Sequence, residues 1–100
     1  MVESQVRDIC YIKVSHVYCE IHRADATTEI VRVSLKELEE KLKLRGTGFV
    51  RTHRSYLVNL LWVEYIGEEE IGLKEGIGKI PISKRNRPEV ITQYEQYYNK

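Results

Sequence analysis

The chain has 100 residues, 42% of them hydrophobic and 31% charged, which suits one compact domain with a modest core and is too little for two. Its longest apolar run, residues 56–63, has Asn59 inside it and falls far short of the roughly 18 to 20 residues that cross a bilayer. A formal net charge of +1 excludes a strong overall pull on any polyion, so charge can matter here only through its distribution.

The first residues contain no apolar core of the secretory kind, so a cytoplasmic chain with reduced thiols is expected, leaving Cys10 and Cys19 free. Residues 8–14, 17–22 and 29–33 are short, rich in β-branched and aromatic types and separated by turn residues, which predicts three strands. Ser34 is followed three residues on by Glu37, a pair that can satisfy two orphan backbone amides at a helix start. Leu35, Leu38 and Leu42 then recur at helical spacing and Arg45-Gly46 supplies a stop, giving an amphipathic helix of about three turns. Beyond Gly46-Thr47-Gly48 the pattern returns to strand over 49–51, 55–59, 62–66, 70–73 and 79–83. These runs lie too close together for crossover helices, so neighbours must pair antiparallel. Pro88 interrupts the pattern, and 89–98 can form a last helix with Val90, Ile91 and Tyr94 inward. The fold class is therefore all-β, one domain over 1–100, with one short helix and a possible C-terminal one.

Catalytic chemistry finds little support. His53 and Ser55 would sit on one face of a strand, but no nucleophile elbow surrounds Ser55, so the chain is not expected to be an enzyme. Cys10, His16, Cys19 and His22 fall within thirteen residues and carry metal-ligand atoms. On a strand over 17–22, however, Cys19 and His22 point to opposite faces, so no metal site is expected. No glycine-rich loop precedes a helix in the spacing that cradles phosphates, and no cofactor is expected.

The charge distribution is more informative. Residues 41–59 hold Lys41, Lys43, Arg45, Arg51 and Arg54 without a carboxylate, and 79–88 hold Lys79, Lys84, Arg85 and Arg87, again with none. Glu64, Glu68, Glu69, Glu70 and Glu75 lie between, which predicts one positive and one negative face. Arg51, His53, Arg54 and Ser55 crowd five residues, and Ser83, Lys84, Arg85, Asn86 and Arg87 crowd another five. Arginine reads guanine bidentately, asparagine reads adenine, and lysine, serine and histidine hold phosphates, so both clusters carry groups for positioning and for reading DNA.

The runs Phe49-Val50-Arg51-Thr52-His53-Arg54-Ser55-Tyr56-Leu57-Val58-Asn59, Val63-Glu64-Tyr65-Ile66 and Ile80-Pro81-Ile82-Ser83-Lys84-Arg85 resemble, in order and spacing, the LytTR DNA-binding domain of bacterial response regulators. The strand Asp8-Ile9-Cys10-Tyr11-Ile12-Lys13 resembles that family's early strand, so the likeness spans essentially the whole chain. It implies an elongated arrangement of short antiparallel sheets whose loops, rather than a recognition helix, enter successive major grooves of bent double-stranded DNA. It implies Arg54 and Arg85 as base readers, and a third reader from the loop after the first strand. There the family often has Asn or His and this chain has Val17, so His16 or Tyr18 takes the role. Arg51, His53, Ser55, Lys84, Asn86 and Arg87 become the phosphate contacts, with His53 and Ser55 equally able to orient Arg54, while Tyr56 and Asn59 brace the strand. The likeness further implies a homodimer or paired copies on DNA and an N-terminal receiver domain in a parent protein. The alternative is a protein-interaction module using strand edges and Tyr94, Tyr97 and Tyr98.

Overall fold

A computed structural model of the chain describes residues 6–45 and 48–99. Strands β1 (Ile9–Ser15), β2 (Tyr18–Arg23) and β3 (Thr28–Val31) form consecutive antiparallel hairpins. Helix α1 (Leu35–Leu44) follows, then β4 (Phe49–His53) and β5 (Tyr56–Asn59), a 3-10 turn at Leu60–Trp62, and β6 (Val63–Ile66), β7 (Glu70–Leu73) and β8 (Lys79–Pro81). Helix α2 (Arg87–Tyr98) closes the described chain.

The strands divide into a five-stranded sheet, ordered β3-β2-β1-β5-β4, and a three-stranded meander, β6-β7-β8. Every pairing is antiparallel, as the short connections require. Most are local hairpins. The exception is β1 against β5, which joins Tyr11 to Val58 and Lys13 to Tyr56 and so brings together residues more than forty positions apart.

Two cores follow from the alternation of side chains along these strands. On one face of the large sheet Ile9, Ile12, Ile21, Phe49 and Leu57 meet the apolar stripe of α1, Leu35, Leu38 and Leu42. On the other face Val50 and Val58 meet Val63, Ile71 and Ile80 of the meander together with Val90 of α2. Strands β4 and β5 are thus covered on both faces where they pass between the cores, which is why Leu57 and Val58 are both fully buried. In the meander the Tyr65 ring lies over Gly72 so closely that no Cβ has room there.

The expected class and most elements are present, with shifted ends. Residue Val17 lies in the β1–β2 turn instead of opening β2, β4 runs two residues further than 49–51, and α2 begins at Arg87, before Pro88, which takes an early helical position. Val90 is buried and Tyr94 packs on the second core as expected, while Ile91 is half-buried. Ser34 Oγ accepts from the Glu37 amide at 3.1 Å, the first half of the expected pair, while the Glu37 carboxylate meets Lys41 at 3.3 Å. The expected stop includes Gly46, which lies outside the described residues, as do 1–5 and Lys100 of the one-domain reading. The arrangement is not elongated: its principal extents are 30 × 28 × 27 Å, because the meander and α2 fold back over the large sheet instead of extending it.

Asn59 joins the parts. Only 4% exposed, it donates from Nδ2 to the Ile9 carbonyl at 2.9 Å and accepts the Leu61 amide on Oδ1 at 3.1 Å, bracing strand β5 and capping the 3-10 turn that leads to the meander. Replacing it by Ala leaves a buried carbonyl and a buried amide unmatched. Asn59→Ala is expected to lower stability by about 2 kcal/mol, seen as a reduced urea midpoint at unchanged slope.

Candidate nucleic-acid interface

Three turns converge at one end of the five-stranded sheet. The first joins β1 to β2 through His16 and Val17. His16 takes a left-handed backbone with φ 58°, a conformation histidine tolerates better than most residues. The second joins β4 to β5 through Arg54 and Ser55, and is tied to the first because the Val14 amide donates to the Ser55 carbonyl at 2.9 Å. The third is the turn at Ser83, Lys84, Arg85 and Asn86 between β8 and α2. It is fastened to the far edge of β4, where the Ser83 amide donates to the Thr52 carbonyl at 2.9 Å and Asn86 Nδ2 donates to the Arg51 carbonyl at 3.2 Å.

That last attachment explains how an edge strand ends without an open ladder. The β4–β5 pairing breaks register between Arg51 and His53, and two successive β4 carbonyls there are met by the incoming turn. The turn holds itself in shape: Ser83 Oγ donates to Asn86 Oδ1 at 2.6 Å and accepts the Asn86 amide at 3.1 Å, and the Arg87 amide returns to the Ser83 carbonyl.

The residues singled out from sequence fall into two groups. His16, Tyr18, Arg54, Lys84 and Arg85 are exposed, and among the described residues none of their side chains makes a hydrogen bond or an ion pair. Val17 stands beside them, 62% exposed. The others are engaged. Arg51 donates from one terminal nitrogen to Glu39 Oε1 at 3.0 Å and from the other to the Arg54 carbonyl at 3.1 Å. His53 Nδ1 accepts the Ser55 amide at 3.2 Å, fixing the tight turn that carries Arg54. Asn86 is committed to Ser83 and Arg51, and Arg87 Nε donates to the Gly67 carbonyl at 2.9 Å, joining the start of α2 to the β6–β7 turn.

Charge is not sorted into two faces as the sequence suggested. His53, Ser83, Lys84 and Arg87 line an open groove of about 930 Å3, and Glu68 and Glu69 of the β6–β7 turn line the same groove. Other carboxylates are spent on local pairs: Glu70 meets Lys79 at 3.2 Å, which holds the Glu70 carboxyl below and the Lys79 ammonium above their usual ranges. The tyrosines of the interaction-module alternative are also occupied. Tyr94 and Tyr97 pack on the second core, and the Tyr98 hydroxyl donates to the Leu60 carbonyl at 2.7 Å.

The four metal-ligand candidates are dispersed. Cys10 and Cys19 are buried, and Cys19 Sγ donates to the Val33 carbonyl at 3.1 Å. His22 stacks on Tyr11 with centroids 4.3 Å apart and bonds Glu20 Oε1 at 2.9 Å, while His16 sits at the exposed turn. Among the described residues no three His, Cys, Asp or Glu side chains stand together as a metal site. Burial, with a smaller push from Asp8, raises the Cys10 thiol to about 11, and burial raises Cys19 as well. Both thiols therefore stay protonated at pH 8, below their raised values. A thiol-reactive dye is expected to label both cysteines slowly in the native protein and at once in guanidinium.

The family model described as LytTr DNA-binding domain matches residues 1–95. A response regulatory protein of Vibrio cholerae is 38% identical over 82 residues, 78% of this chain, and the chain spans only 31% of that relative's length. A solved LytTr DNA-binding domain from Bacillus cereus superposes with a TM-score of 0.70 over 86% of this chain and 80% of its own, at 21% identity, and so shares the fold. No helix among the described residues is long and apolar enough to cross a membrane.

Proposed function

The chain belongs to the LytTr family of DNA-binding domains, and on that footing we propose that it binds double-stranded DNA sequence-specifically, placing its three clustered turns in major grooves as the output domain of a bacterial transcription regulator. The observation that carries the proposal is the convergence of three exposed turns on one end of the sheet, with Arg54, Lys84, Arg85, His16 and Tyr18 all unpaired there among the described residues. A cation already paired within the fold has little left to offer a phosphate. One held at a turn with its head in water breaks no internal pairing on docking.

Within this reading Arg54 and Arg85 contact bases, each with a planar fork that matches the two acceptors of guanine. His16 or Tyr18 supplies the third base contact from the β1–β2 turn. Lys84 contacts phosphate, as do His53 and Ser55 to the extent that their turn-forming bonds leave them free. Arg51 and Asn86, taken from sequence as phosphate contacts, serve as supports in this reading, because both terminal nitrogens of Arg51 and both side-chain polar atoms of Asn86 already have partners inside the fold. Arg87 keeps its terminal nitrogens for phosphate, since only Nε is bound to Gly67.

A single domain with so few cations neutralises only a handful of phosphates, so its affinity is modest and falls steeply with salt. Two copies on adjacent half-sites, as a homodimer or as neighbours, overcome that limit through high local concentration. In a parent regulator working in the cytoplasm, an N-terminal receiver domain sets that pairing and leaves the reading residues unchanged.

The division of roles has a measurable signature. After selection of a preferred duplex from a random library, Arg85→Ala is expected to cost about 1–3 kcal/mol on that duplex and to relax preference at one base position. Lys84→Ala is expected to weaken preferred and scrambled duplexes alike and to reduce the salt slope by about one. Unchanged preference after the Arg85 substitution removes it from the reading set, and a wild-type domain that retains no duplex above background removes the proposal.

A further inference from the structure

Glu39 belongs to none of the three turns. It sits on α1, half-buried, with its side chain 18% exposed, and its nearest cation is the Arg51 guanidinium at 3.0 Å, itself only 25% exposed. The second terminal nitrogen of that guanidinium donates to the carbonyl of Arg54 at 3.1 Å. Helix, guanidinium and turn thus form one chain of contacts, and its last member is the backbone of an exposed arginine. Lys43 also approaches Glu39, at 3.7 Å, but from an exposed position where the attraction is screened.

We infer that Glu39 is a positioning residue for sequence reading: its carboxylate fixes the Arg51 guanidinium, which clamps the carbonyl of the turn that aims Arg54. This rests on the DNA-reading function proposed above. Three constraints act on the turn, one from the His53 ring on the Ser55 amide, one from the Val14 amide on the Ser55 carbonyl and one from Arg51 on the Arg54 carbonyl, and only the last depends on a charge outside the interface. Without Glu39 the guanidinium is left in a half-buried place with one partner fewer, and it gains by turning its freed nitrogen to water or to DNA phosphate. The carbonyl clamp then loosens and the Arg54 fork loses its fixed approach to a base edge.

The test uses opposite signs. Glu39→Ala removes one negative charge, so binding to a scrambled duplex is expected to hold or rise slightly, while binding to the preferred duplex falls until the ratio of the two has dropped about tenfold, within the range that one base contact commands. Lys43→Ala, which breaks only the exposed pair, is expected to leave that ratio unchanged. If both affinities rise together, or neither changes, Glu39 acts only through general electrostatics or not at all and the inference fails.

If both fall along with thermal stability, the exchanged pair Glu39→Arg with Arg51→Glu decides. It restores the ion pair between α1 and β4, but a carboxylate at position 51 has no N–H to give the Arg54 carbonyl. Recovered stability with the ratio still depressed supports the positioning role, and recovery of both overturns it. A wild-type domain without any duplex preference would instead strike the DNA-reading proposal itself, a result distinct from either failure of Glu39.

Discussion

The outer edge of β4 sets the form of the interface. An edge strand ordinarily leaves a row of backbone groups open to other chains. Here the register breaks after Arg51, and the carbonyls of Arg51 and Thr52 are met by Asn86 and Ser83 from a segment more than thirty residues further along. One set of hydrogen bonds thus ends the large sheet, anchors the entry to α2 and sets the turn bearing Lys84 and Arg85 beside the turn bearing Arg54. The two basic segments of the sequence are neighbours because the edge of a strand needed donors.

The packing on either side makes that placement rigid. Strand β4 is pinned by α1 through the first core and by the meander and α2 through the second, so the strand from which the Arg54 turn springs is held by buried aliphatic side chains on both faces. The polar braces add direction to this rigidity. Arg51, His53, Asn86 and Arg87 each bond a backbone group of a turn or of an element leading to one, so these polar side chains hold the turns in shape.

How much of this was legible in the sequence depended on distance along the chain. The Ser34 to Glu37 cap, the leucine stripe of α1 and the hairpins were readable because their partners lie within a few residues. The order of the large sheet was not, since β1 meets β5 across more than forty positions, and the elongated form came from the family resemblance while the molecule is nearly isometric. The exposure of Arg54, Lys84 and Arg85 was legible because each falls between two strand or helix patterns, where a charged side chain has water to face. The internal bonds of Arg51 and Asn86 were not legible, because their partners, Glu39 and each other's segment, are remote in sequence. Glu68 and Glu69 were placed on an opposite face for a related reason: composition records how many charges a stretch has, and only the fold of the β6–β7 turn brings them beside Lys84 and Arg87.

The β1–β2 turn carries a last implication. Its left-handed position is filled by His16, where glycine would be the unstrained choice. A side chain at that position narrows the conformations open to the free tip, and the hydrogen bond between Val14 and Ser55 narrows them further from the neighbouring strand. The tip therefore has fewer conformations open to it than a glycine turn would have. Any partner docking on this turn would order less chain than at a glycine tip, and the entropic cost of that docking would be smaller to the same degree.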